Sequence, residues 1–225
     1  MWIKVCGIRT IDAAREVADL GSDAVGLNFY APSPRFVDAA AAAEIVRSLP
    51  ENVEPVGLFV NESAQTVHET CQRCDINTVQ LHGDERPQLL ADLQQLRPDI
   101  RIIRAYRMGD DGLGPLAEYL AKCEALGVKL GACLVDARVA GVYGGSGRPV
   151  CWETLAKEYQ RDDWPPLVLA GGLNPDNVAE AIQAVRPWGV DVASGVESAP
   201  GVKDVPLVDR FSKNARAAFD AIKDE

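Results

Sequence analysis

The chain has 225 residues, 47% of them hydrophobic and 25% charged, which is ordinary globular composition with ample material for a core. A formal net charge of −10 argues against non-specific nucleic-acid binding, which needs dense Lys and Arg, but leaves room for a small anion held locally by backbone amides. No run of about 18 apolar residues exists to span a membrane, and the start Met1-Trp2-Ile3-Lys4 lacks the layout of a secretory signal, so a cytoplasmic protein is expected.

Short apolar, β-branched runs alternate with longer helical patterns from end to end. The strand candidates are Ile3–Cys6, Ala24–Phe29, Val56–Val60, Thr78–His82, Ile100–Tyr106, Ala132–Asp136, Leu167–Ala170 and Val190–Ser194. They are almost continuously hydrophobic, as strands covered on both faces of a parallel sheet must be. Between them apolar residues recur at spacings of three and four. Leu89, Leu90, Leu93 and Leu96 make one stripe; Val208, Phe211, Ala215, Ala218, Phe219 and Ile222 make another on the last helix. Gly21 and Gly127 stand where helix C-caps are expected, Asn174-Pro175-Asp176 reads as a helix start, and Met108–Pro115 reads as an extended loop.

Eight strand–helix units in 225 residues average about 28 each, which predicts a single (β/α)8 TIM barrel over residues 1–225. An open doubly wound sheet is the rival, but the turn after the first strand, Cys6-Gly7-Ile8-Arg9, lacks the dinucleotide fingerprint. Six cysteines without a secretory signal suggest reduced thiols. Cys71 and Cys74 form the one Cys-x-x-Cys; with no second pair, and a helical setting, they read as packing residues rather than zinc ligands.

In this fold chemistry gathers where strands end. Gly171-Gly172 follows the seventh strand and Ser194-Gly195 the eighth, the two loops from which such barrels usually hold a phosphate. A third cluster, Gly144-Gly145-Ser146-Gly147, could close over the same anion or be a plain surface loop. Cys6 and Asp136 end strands one and six, so a barrel turns both toward one mouth, where a thiol and a carboxyl can exchange protons. Cys6 reads equally well as a core thiol, and as a base it would need a cation such as Lys4 or Arg9 to favour the thiolate. Arg35 lies in the proline-stiffened Pro32-Ser33-Pro34-Arg35 and can present a guanidinium fork to a carboxylate; an exposed surface arginine is the other reading. His82 ends a strand at the mouth, whereas His68 reads as a solvated helix residue. Asp191 orients a neighbour, binds a sugar hydroxyl, or is a structural carboxylate.

Nine blocks stand in a characteristic order: Lys4-Val5-Cys6-Gly7-Ile8, Gly26-Leu27-Asn28-Phe29, Ser33-Pro34-Arg35-Phe36-Val37, Val56–Asn61, Gln80-Leu81-His82-Gly83-Asp84-Glu85, Leu134-Val135-Asp136, Gly144–Gly147, Leu169–Val178 and Asp191–Glu197. Together they resemble the phosphoribosylanthranilate isomerase family of tryptophan biosynthesis. The resemblance implies a cofactor-free, metal-free Amadori rearrangement of N-(5-phosphoribosyl)anthranilate, with no nucleic-acid or membrane partner, by a monomer or homodimer. It implies Asp136 as general acid, Cys6 as general base and Arg35 on the anthranilate carboxylate. Gly145, Gly171, Gly172, Ser194 and Gly195 would cradle the phosphate, with His82 and Asp191 lining the site. The segment Gly147–Trp152 departs from the usual ending of the glycine loop. Isomerases that also serve the histidine pathway usually carry an aspartate where Cys6 stands, and a silent phosphosugar-binding protein would have no use for an intact Cys6 and Asp136.

Overall fold

A computed structural model describes residues 1–109, 111–136 and 152–223. Eight parallel strands close on themselves in chain order: β1 Trp2–Cys6, β2 Ala24–Asn28, β3 Glu54–Phe59, β4 Thr78–Leu81, β5 Arg101–Arg107, β6 Ala132–Asp136, β7 Leu167–Ala170 and β8 Gly189–Val192. Closure is made by β1 against β8, with Lys4 opposite Asp191 and Val5 opposite Val192. All eight lie where the apolar runs predict them, with ends shifted by one or two residues. Phe29, Val60, His82 and Ser194 fall just past their strands rather than inside them.

Helices α1 Ile11–Asp19, α2 Ala39–Ser48, α3 Ala64–Cys74, α4 Pro87–Leu96, α5 Gly114–Ala125, α6 Trp152–Glu158, α7 Val178–Val185 and α8 Val205–Lys223 follow the strands in turn. A one-turn 3-10 helix, Ser194–Val196, and a short antiparallel hairpin, β9 Glu197–Ala199 with β10 Val202–Lys203, fill the connection between β8 and α8. Thr10, Asp38 and Ser63 cap α1, α2 and α3 through their side-chain oxygens, satisfying amides that have no partner within the helix. Gly21 and Gly127 take positive φ just beyond α1 and α5, as expected.

Successive residues of a strand face opposite sides. Ile3 and Val5 therefore join the main core between barrel and helices, while Trp2, Ala24, Val56, Ile103, Ala132, Leu134 and Val168 fill the barrel interior. The α8 stripe is buried at Val208, Phe211, Ala215, Ala218 and Phe219.

Three expectations change. Leu96, the last residue of the α4 stripe, is exposed at 44%, because the core side of that helix is completed by Leu90, Ala91 and Leu93. The helix expected at Asn174 begins at Val178: Asn174 Oδ1 accepts from Asp176 N at 2.8 Å, closing a turn that precedes the helix. His68 is half-buried, with its Nδ1 sealed from water, so it is solvated only in part. Cys71 and Cys74 are both buried in the packing of α3, and burial pushes the Cys71 thiol up to about 12.

Candidate active site

At the C-terminal ends of the strands lies a cavity of about 550 Å³. Its wall includes Cys6, Arg35, His82, Asp136, Gly171, Gly172, Asp191, Ser194 and Gly195, every residue singled out from the sequence within the described segments. Gly145 and its neighbours Gly144–Gly147 lie outside the described residues.

Cys6 and Asp136 point inward from β1 and β6, which are separated around the ring by β7 and β8, and both line the cavity. Gly26 of β2 makes room for the thiol, since a Cβ built there would fall 2.6 Å from Cys6 Sγ. Two residues down the same face of β1, Lys4 is fully buried and donates from Nζ to Asp191 Oδ1 at 2.8 Å. Burial works against the Lys4 ammonium, but Asp191 and Cys6 outweigh it and its pKa lies above the ordinary value. Burial also pushes the Cys6 thiol up, and the nearby Lys4 and Lys203 oppose this without cancelling it. Lys4, not Arg9, is thus the cation beneath the thiol; Arg9 lies against Gly201 of the hairpin. Asp191, open to three readings in the sequence, pairs with Lys4 and also faces the cavity.

The two glycine loops meet. Gly171 and Gly172 take φ of +93° and +68°, which an L side chain rarely adopts. A Cβ at Gly195 would fall 1.9 Å from Leu173 O, so the loops after β7 and β8 pack backbone to backbone. Such a surface brings amides close to an anion without intervening side chains.

Arg35 lines the cavity with one edge already engaged: its Nε and Nη2 donate to Glu197 Oε1 and Oε2 at 2.8 and 2.6 Å. Glu197 pKa is lowered: burial raises it, but the hydrogen bonds from Arg35 and Lys203 prevail. On the far side of the mouth, Gln80 Nε2 lies 2.7 Å from His82 Nδ1. Burial, reinforced by Arg107, pushes the His82 pKa down to about 4, so at neutral pH the uncharged ring accepts at Nδ1 and carries its proton on Nε2. Arg104, in β5, points outward and is structural: it holds Leu81 O, Gly83 O and the buried Glu85, and lies over the Tyr119 ring.

Sequence reasoning assigned no role to Gln80, Glu197 or Lys203. Gln80 was recoverable, because it stands two residues before His82 and shares its face. Lys203 gave no signal, since only the hairpin carries it back to the mouth.

Closed barrel, inward thiol and carboxyl, and paired glycine loops define an enzyme of the (β/α)8 class that works at the C-terminal ends of its strands. The family model for N-(5'-phosphoribosyl)anthranilate isomerase matches residues 3–214. The isomerase of that name from Trichlorobacter lovleyi is 42% identical over 218 residues, covering 96% of this chain and 98% of the relative. A crystal structure of phosphoribosyl anthranilate isomerase in complex with reduced 1-(o-carboxyphenylamino)-1-deoxyribulose 5-phosphate is similar at 34% identity and a TM-score of 0.81, covering 96% of this chain and 99% of that one. Monomers generated from the dimeric enzyme of Thermotoga maritima give 33% identity and a TM-score of 0.79, with 96% and 99% coverage. The chain belongs to the N-(5'-phosphoribosyl)anthranilate isomerase family.

Proposed function

We propose that this chain, an isomerase of tryptophan biosynthesis, converts N-(5-phosphoribosyl)anthranilate into 1-(2-carboxyphenylamino)-1-deoxyribulose 5-phosphate, with Asp136 as general acid and Cys6 as general base. Asp136 gives its proton to the ribose ring oxygen as the C1–O bond breaks, and the amine nitrogen's lone pair forms the Schiff base. Cys6, as thiolate, then takes the C2 proton; the C2–H electrons become the enolamine double bond, and tautomerisation yields the ketone. Gly171, Gly172, Ser194 and Gly195 anchor the phosphate by backbone amides, Gly145 contributes from its own loop, and Arg35 meets the anthranilate carboxylate. His82 and Asp191 line the path between them.

The observation that carries this reading is that Cys6 and Asp136 line one cavity together with the glycine loops after β7 and β8, the two strands that separate β6 from β1 around the ring. Residues 1–225 act as one catalytic domain, in the cytoplasm, as a monomer or a homodimer, on a small phosphorylated substrate. Among the described residues no helix is long and apolar enough to cross a membrane.

Purified protein assayed with N-(5-phosphoribosyl)anthranilate and with the histidine-pathway aminoimidazole substrate tests the activity. Turnover of the first is expected, and turnover of the second alone would overturn the reading. A crystal soaked with the reduced product analogue tests the geometry, with the phosphate expected on Gly172 and Gly195 and the carboxylate beside Arg35.

A further inference from the structure

Arg35 is held at its guanidinium, its backbone and its alkyl stem. Glu197 accepts from its Nε and Nη2 at 2.8 and 2.6 Å. The backbone N of Arg35 donates to Ser33 Oγ, which Asn28 Nδ2 also reaches, both at 3.1 Å. Its alkyl stem lies across Gly7, where a built Cβ would fall 2.5 Å from Arg35 Cδ. Glu197 is itself held by Lys203 Nζ at 2.7 Å, and that ammonium also donates to Ala193 O at 3.0 Å. The side chains of Glu197 and Lys203 are only 4% and 3% exposed, whereas Arg35 keeps 22%. Two cations on one carboxylate leave a single positive charge, and Arg35 Nη1 has no partner among the described residues.

We propose that Glu197 and Lys203 are positioning residues that lock the Nε–Nη2 edge of Arg35 and leave its remaining donors to face the substrate carboxylate, which neither residue touches. This rests on the reading of Arg35 as the carboxylate contact. It also links the two ends of the site: Glu197 follows Gly195 by two residues, so one segment, Ser194–Lys203, carries part of the phosphate cradle and the clamp on Arg35.

Steady-state kinetics of Glu197→Gln, Lys203→Met, Arg35→Gln and the double variant Glu197→Gln/Arg35→Gln test this, with inhibition by inorganic phosphate measured alongside. Glu197→Gln is expected to raise KM for N-(5-phosphoribosyl)anthranilate at least tenfold, with kcat less affected and phosphate inhibition within about twofold of the parent. Lys203→Met is expected to move KM in the same direction. The double variant is expected to lose no more than Arg35→Gln alone, because a residue acting through Arg35 has nothing left to position. If Arg35→Gln raises KM and Glu197→Gln does not, the clamp is wrong and Arg35 keeps its role. If Arg35→Gln leaves KM unchanged, the carboxylate reading fails first and takes the clamp with it. Additive losses, or an equal weakening of phosphate inhibition, would show that Glu197 merely supports the segment and would also overturn the proposal. Should Glu197→Gln not fold, Glu197→Asp, which keeps the charge one methylene further away, is expected to give an intermediate KM; a parental KM there would count against the clamp.

Discussion

At the scale of single residues, the thiol of Cys6 poses the sharpest question, because a base must be ionised and burial favours the neutral form. The ordinary thiol pKa is about 8.5, and burial raises that of Cys6. Alkylation of Cys6 by iodoacetamide, followed on its own peptide, should therefore keep rising with pH above 9 in the empty enzyme. A plateau below pH 8 would show that Lys4 and Lys203 prevail over burial. Replacing the groups themselves is more direct: Cys6→Ser and Asp136→Asn should each lower kcat by at least about 100-fold, the usual contribution of a positioned acid or base, with a small change in KM. Losses of only a few-fold would mean that the roles are misassigned. His82 adds a prediction of opposite kind. Its pKa in the fold is about 4, below the ordinary value. Between roughly pH 6.5 and 4 the unfolded chain therefore binds more protons at this site, and stability falls as pH drops through that window. His82→Asn should flatten part of the decline in Tm between pH 6.5 and 4.5; an equal decline would rule His82 out as a contributor. The sequence displayed Cys6, Asp136 and His82 because polar groups ending apolar runs stand out. It concealed their environment, since the partners Lys203, Arg107 and Asp191 come from other strands and loops.

Among the elements, the strands were legible and the connections were not. A strand covered on both faces admits few polar residues, so all eight announced themselves as apolar runs, and the last helix showed its stripe. The start of α7 did not follow from Asn174-Pro175-Asp176, because the same residues that cap a helix also close a turn, and tertiary packing chooses between them. The glycine loops illustrate how much a shared letter conceals. Gly172 needs left-handed backbone, yet a Cβ there would meet nothing within 4 Å. Gly172→Ala should cost about 1–2 kcal/mol of strain and, because its methyl enters open space beside the phosphate anchor rather than the neighbouring loop, should raise KM less than Gly195→Ala. Gly195 has no such slack, because its Cβ would fall 1.9 Å from Leu173 O. Gly195→Ala must push the loops after β7 and β8 apart, raising KM at least about tenfold and weakening inhibition by inorganic phosphate in parallel. Equal effects from the two substitutions would contradict a cradle built by contact between the loops.

Across the whole molecule, the two ends of the barrel do different work. At the N-terminal end, Trp2 stacks on Trp188 with ring centroids 5.4 Å apart, and Arg101 lies 5.3 Å from the Trp188 ring. Glu54 accepts from Trp2 Nε1 at 3.2 Å and from Arg101 Nη1 at 3.1 Å, with Thr78 as a third donor. This plug joins β1, β3, β4 and β5 and the residue preceding β8, so it closes the ring where no substrate enters. Trp2 stands four residues below Cys6 on the same face of β1, with Lys4 between them. Lys4 is tied to β8 through Asp191, so the residue between plug and thiol has its own anchor. Trp2→Ala should accordingly lower the unfolding free energy by about 3 kcal/mol, the usual cost of emptying a buried aromatic site, seen as a lower urea midpoint. Its kcat/KM, measured where the variant is still folded, should stay within about twofold of the parent. A tenfold fall in kcat/KM with an unchanged midpoint would show instead that the plug sets the height of Lys4, and through it the position of Cys6.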